Sequence, residues 1–91
     1  MLRLNPAEIA DLKRRLGEHI RARRLLAGLS QAKLAETAGV SLSLVRRTEA
    51  GQSDLRLDDL ERFARALGCL ATDLLPDVWA MIATAISGRS A

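Results

Sequence analysis

The stretch from Gln31 to Gly51, QAKLAETAGVSLSLVRRTEAG, constrains the fold of this chain more than any other. Leu34, Ala38, Val40 and Val45 recur at spacings that turn them toward one core if the run forms two short helices. Ala35 sits where two such helices approach closely, with room for little more than a methyl group. Between them, Gly39 supplies the positive φ that a sharp turn needs without Cβ strain. Ser41 then opens the second helix as its N-cap, because its hydroxyl accepts from an amide two or three residues further on. Two helices fixed at a steep angle in this way can push the end of the second into the major groove of DNA.

The flanking sequence is helical too. Asn5-Pro6, with Glu8 following, places an N-cap, a first-turn proline and a capping-box acid in order. Ile9, Leu12, Leu16 and Ile20 then repeat at helical spacing up to Gly28, and Gly17 is a candidate bend in the middle. Ser30 caps the helix that begins at Gln31. Further on, Asp58, Asp59 and Glu61 occupy the first turn of a helix whose buried stripe is Leu57, Leu60, Phe63, Ala64 and Leu67, closed by Gly68. The pattern predicts an all-α fold with helices over 6–27, 31–38, 42–50, 57–67 and 71–75, and a sixth over 77–87. Residues 1–75 form one domain; 76–91 add an apolar helix and a short tail.

That last helix is unusual. No charged residue lies between Val78 and Ser87. Trp79, Ile82 and Ile86 share one face, while Ala80, Ala83, Thr84 and Ser87 share another. A surface helix normally has a charged side, and this one is too short to span a bilayer. Burial on both sides is expected, against its own domain and a second subunit. Leu70, Leu74, Val78, Trp79, Ile82 and Ile86 are the expected dimer surface.

Composition narrows the function. Phe63 and Trp79 are the only aromatic residues, which argues against stacking on single-stranded nucleic acid. The net charge of +3 is uneven along the chain. Residues 1–28 carry seven basic side chains against three acids, whereas residues 52–75 carry three against five. Such asymmetry suits a protein with one DNA-facing side. A single cysteine, Cys69, excludes an intramolecular disulfide and reads as a structural thiol. With no signal peptide or long apolar run, a cytoplasmic, nucleoid-associated protein is expected. His19 is the only histidine and has no ligand cluster around it, so no metal is expected, nor any other cofactor. Asp58 and Asp59 are better explained as helix-dipole residues than as a catalytic pair, and an enzyme is not expected.

Residues Leu16 to Leu75 resemble the helix-turn-helix domain of the Cro and phage-repressor (XRE) family. The matching stretches are LGEHIRARR, GLSQAKLAETAGVS, Glu49-Ala50-Gly51 and LDDLERFARALG followed by DLL. Two departures stand out: Thr48 occupies a position usually held by a large aliphatic, and Leu42 and Leu44 occupy positions commonly polar. The resemblance implies a five-helix repressor-like domain whose helix over 42–50 reads base edges. On that helix Ser43 and Arg47 lie farthest from buried Val45, and Arg47 can donate two bonds to guanine. Leu42, at the tip, either meets a thymine methyl or packs on the core. Arg46 is nearer the groove edge and is assigned to phosphate, with Ser30, Gln31, Lys33 and Arg56 as further candidates. Arg24 and Glu49 match family positions that pair across the core, a structural role.

The expected function is that of a sequence-specific, double-stranded DNA-binding transcriptional regulator of bacterial or phage type. It would act as a homodimer on a near-palindromic operator, with no membrane or small-molecule partner evident. The alternative is an antitoxin-like subunit whose apolar tail binds a protein partner such as a toxin while the same motif autoregulates.

Overall fold

The computed structural model describes residues 4–76. Among them there are five helices and no strand: α1 (Pro6–Leu26), α2 (Gln31–Ala38), α3 (Leu42–Glu49), α4 (Leu57–Leu67) and α5 (Ala71–Leu74). The sixth helix expected over 77–87 lies outside the described residues.

The starts of α1, α2 and α3 are fixed by side-chain caps. At α1, Asn5 Oδ1 accepts from the Glu8 amide at 2.8 Å and Glu8 Oε1 accepts from the Asn5 amide at 3.2 Å, so two unpaired helix-end donors are satisfied reciprocally. Ser30 Oγ accepts from the Lys33 amide and Ser41 Oγ from the Leu44 amide, both at 3.0 Å. Between these two caps, Gly39 adopts φ 71°, and the Val40 amide reaches back to the Ala35 carbonyl at 3.0 Å. This ending sets the tight turn from α2 into α3.

The core gathers one face of every helix. Ile20, Leu34, Val45, Phe63 and Leu74 have no exposed surface, and Ala35, Ala38, Leu60 and Ala64 fill the gaps between them. Ala35 and Ala38 are small where α2 packs on α3 and α4. Leu57, expected in the buried stripe of α4, is instead 85% exposed, because it begins the first turn and points past the core that Leu60 and Phe63 reach.

Gly17 has a different role from the bend that helix propensity suggested. α1 runs unbroken through it, and Gly17 is buried against the last turn of α3. A Cβ there would run into the Thr48 carbonyl oxygen and lie 3.0 Å from the Glu49 oxygen. The glycine lets α1 cross α3 backbone to backbone. Thr48, 3% exposed, is the residue at this crossing, and its Oγ1 has no hydrogen-bond partner among the described residues.

Candidate nucleic-acid interface

The end of α3 is held by one carboxylate. Arg24 Nε donates to Glu49 Oε2 at 2.6 Å and Nη2 donates to Oε1 at 3.0 Å, a two-pronged pair whose side chains are 9% and 4% exposed. Arg24 Nη1 also donates to the Leu29 carbonyl at 2.8 Å, so α1, the α1–α2 loop and α3 meet at one guanidinium. The Glu49 carboxylate raises the Arg24 pKa further above its already high ordinary value. Such geometry suits guanidinium, whose planar fork matches carboxylate.

Gln31 joins this cluster. Its Nε2 donates to Glu49 Oε1 at 3.2 Å. A carboxylate only accepts, so the amide nitrogen, not its oxygen, must face Glu49. One Nε2 hydrogen is thereby used, and the other is left to donate elsewhere. This bond is not legible from spacing, since residues 31 and 49 are linked only once α2 and α3 have packed.

On the outer side of α3, Ser43, Arg46 and Arg47 are exposed, while Val45 and Thr48 face inward. Leu42 and Leu44 are half-buried and pack against the core. Leu42 packs partly on the core and keeps part of its surface exposed at the tip of α3. Those leucines therefore brace α3 at positions where polar residues are common in the family. Ser30 and Lys33 are exposed at the first turn of α2, and Arg56 is exposed at the N-cap position of α4. Ser30 Oγ accepts the capping bond, which leaves its hydroxyl proton free to donate.

Charge is distributed differently from the simple N-terminal excess. Arg14 pairs with Asp11 and Glu18, Arg15 with Asp11, and Lys13 with Asp54. Hydrogen bonding to Arg14 holds the Asp11 carboxyl below the usual range, and the Lys13 ammonium does the same for Asp54. Exposed pairs contribute little stability, but they cancel the far field of the first half of α1. Among the described residues, Arg21, Arg23, Arg46, Arg47 and Arg56 form no ion pair, and Lys33 has only a 3.6 Å approach to Glu36. Two of these cations are adjacent on the outer side of α3.

The dimer surface needs one correction. Leu74 has no exposed area and sits in the core with Ile20 and Phe63, so it is unavailable to a second subunit. Leu70 remains 69% exposed, and Val78, Trp79, Ile82 and Ile86 lie outside the described residues. Cys69 is half-buried, and burial pushes its thiol pKa up.

Residues 15–76 match the helix-turn-helix domain family. The chain belongs to this family. The resemblance to Cro and phage-repressor (XRE) domains thus holds across α2, its turn and α3. Among solved structures, the helix-turn-helix domain is similar to the restriction-modification controller protein C.AhdI from Aeromonas hydrophila. The two are 35% identical with a TM-score of 0.69, covering 72% of this chain and 98% of that one. The hypothetical transcription factor NHTF from Neisseria is 30% identical with a TM-score of 0.70, covering 84% and 87% of the two chains. The clp gene regulator ClgR from Corynebacterium glutamicum is 25% identical with a TM-score of 0.67, covering 87% and 82%. No curated protein sequence gives a significant match. Among the described residues of this helix-turn-helix protein, no group of side chains is arranged to hold a metal ion, and no helix is long and apolar enough to cross a membrane.

Proposed function

We propose that this protein is a transcriptional regulator that binds a near-palindromic operator as a homodimer, with α3 in the major groove. The observation that carries this reading is the outer face of α3. Ser43, Arg46 and Arg47 stand exposed on a helix whose far end is locked by the Arg24–Glu49–Gln31 cluster. Similar proteins described as a transcription factor, a gene regulator and a restriction-modification controller support the regulatory role.

In this reading Arg47 reads a base edge, where a guanidinium donates two bonds to guanine, and Ser43 discriminates weakly beside it. Arg46, Lys33 and Arg56 neutralise phosphates along the groove edges. Gln31 adds the Nε2 hydrogen not used by Glu49, beside the first-turn amides of α2 that Ser30 leaves open. One domain reads only a few base pairs, too few to find an operator among a genome's competing sites. A twofold dimer doubles the contacts and sets its two recognition helices about 34 Å apart, one turn of DNA. Exposed Leu70 and the apolar residues 78–86 supply that dimer.

Selection of bound duplexes from a random pool gives the operator, and substitutions then assign the contacts. Arg47→Ala should lose about 1–3 kcal/mol on the selected site and blur one base position. Lys33→Ala should weaken all sequences alike and flatten the salt dependence by about one unit of slope. Equal loss on specific and random DNA for Arg47→Ala would make it a backbone contact. Truncation after Pro76, which keeps the buried proline, should leave a helical domain that sediments as a monomer and binds DNA more weakly. A tight dimer from the truncated chain would instead assign the tail to another partner, as in an antitoxin-like subunit.

A further inference from the structure

Three helices meet at the Glu49 carboxylate, and its two oxygens carry unequal loads. Oε2 accepts once, from Arg24 Nε at 2.6 Å. Oε1 accepts twice, from Arg24 Nη2 at 3.0 Å and from Gln31 Nε2 at 3.2 Å. The two bonds from Arg24 fix the plane of the carboxylate, because the guanidinium fork is itself planar. Arg24 is held in turn by its bond to the Leu29 carbonyl. With the paired side chains only 9% and 4% exposed, Gln31 faces an acceptor that neither water nor side-chain rotation can displace.

A glutamine carboxamide has two ends of opposite chemistry. Nε2 donates two hydrogens, whereas Oε1 only accepts. The torsion that exchanges them is broad and roughly two-fold, so packing alone does not choose between the ends. Glu49 does choose. A carboxylate cannot donate, so a Gln31 Oε1 turned toward it would be repelled. Glu49 is the one side-chain partner of Gln31 among the described residues.

The second Nε2 hydrogen of Gln31 is left at the start of α2. Ser30 Oγ takes the Lys33 amide there, and the amides of Gln31 and Ala32 have no acceptor among the described residues. Like a carboxylate, a DNA phosphate oxygen accepts and cannot donate. It is matched by these donors and would be repelled by a carboxamide oxygen.

We propose that Glu49 is a positioning residue for DNA binding: it orients the Gln31 carboxamide so that a donor, and not an acceptor, faces the phosphate at the start of α2. This rests on the reading of Gln31 as a backbone contact under Proposed function. The Arg24–Glu49 pair then does more than tie α1 to α3. Glu49 lies two residues from Arg47, about 200° around the same helix, so one faces inward and the other outward. A single turn of α3 thereby holds the donor that meets the backbone in fixed relation to the side chain that reads a base. Phosphate contacts set register and base contacts specify, so that relation is what a DNA-reading domain must keep rigid.

A double-mutant cycle on the full chain tests this. Gln31→Ala should weaken a selected operator and a random duplex alike, about tenfold, as loss of one hydrogen bond to a charged group does. Arg24→Met combined with Glu49→Met removes the acceptor and replaces the ion pair by apolar side chains, a change that buried pairs often tolerate. In that background Gln31→Ala should cost less than about twofold. A merely structural pair would lower stability or overall affinity and leave the Gln31→Ala effect at its wild-type size; that result overturns the proposal. Should the doubly substituted chain fail to fold, the wild type decides by nitrogen–proton NMR, with the Gln31 side-chain amide assigned by its loss in Gln31→Ala. One hydrogen should be held before DNA is added, and its partner should shift when a duplex binds. A freely averaging Gln31 amide without DNA, or one unmoved by a bound duplex, overturns the proposal. Failure of the regulatory reading looks different: the wild type then binds no duplex at all, and this proposal falls with it.

Discussion

Gly17→Ala should destabilise this protein, although helix propensity alone says the opposite. An alanine inside a helix is worth about 1 kcal/mol over glycine. Against that, the new methyl would fall on the Thr48 carbonyl oxygen, 3.0 Å from the Glu49 oxygen and 3.1 Å from the Glu49 carbonyl carbon. These are backbone atoms of α3, so no side-chain rotation can relieve the overlap; α1 and α3 must separate. Overpacking of a tight contact costs about 1–3 kcal/mol and occasionally more. A backbone collision belongs at or above the upper end. The net loss is therefore about 2 kcal/mol after the propensity gain. For a domain of this size that lowers the thermal midpoint by about 10 °C, and the urea midpoint by about 1 M or more at ordinary denaturant sensitivity. Equilibrium urea unfolding followed by circular dichroism measures it. Gly39→Ala is the comparison, because its Cβ would meet nothing within 4 Å and only its φ of 71° opposes the change. A Gly17→Ala midpoint equal to or above wild type would refute the close crossing of α1 and α3.

Three further outcomes follow from the same region and its surroundings. Thr48→Val should stabilise the domain by about 1 kcal/mol in the same urea assay, because it removes a buried hydroxyl that has no partner and keeps the shape. Glu49→Ala should cost about 3–5 kcal/mol by leaving Arg24 buried without its counter-charge, with Arg24→Ala giving a similar loss. Asp11 and Asp54 have depressed folded pKa values, so their contribution is complete above the unfolded value near ~3.9 and is lost as pH falls through the folded one. Thermal midpoints should thus show no change from these two groups between pH 7 and 5, then fall below about pH 4, with a smaller fall in Asp54→Asn.

The local features were legible in the sequence because each rests on residues within a few positions of one another. Asn5, Ser30 and Ser41 cap the helices they precede, and Gly39 takes the left-handed conformation its place in the turn requires. Chain-distant relations were harder. The role of Gly17 depends on the carbonyl of Thr48, which lies against it only after α1 and α3 cross. The Gln31–Glu49 bond and the burial of Leu74 likewise depend on packing between helices. Net charge along the chain was also misleading. It counted Lys13, Arg14 and Arg15 as available, whereas their acids are a helical turn away or on the loop after α3. On α3 the pattern was clear for Arg47 but open for Leu42, since a residue at a helix tip can face either way until its neighbours are placed.

The anchoring of α3 also shapes how such a protein can diverge. Its attachment to the domain resides in Leu42, Leu44, Val45, Thr48 and Glu49, whereas Ser43, Arg46 and Arg47 make no side-chain hydrogen bond or ion pair among the described residues. Substitutions at those three outward positions leave the scaffold's stability nearly untouched, as surface changes away from special features usually do. In the proposed reading of α3 as the base-reading helix, a new target would follow from changing a few outward side chains on a helix whose seat stays fixed. The constraint falls on residue 49, where one carboxylate accepts from Arg24 and Gln31 together.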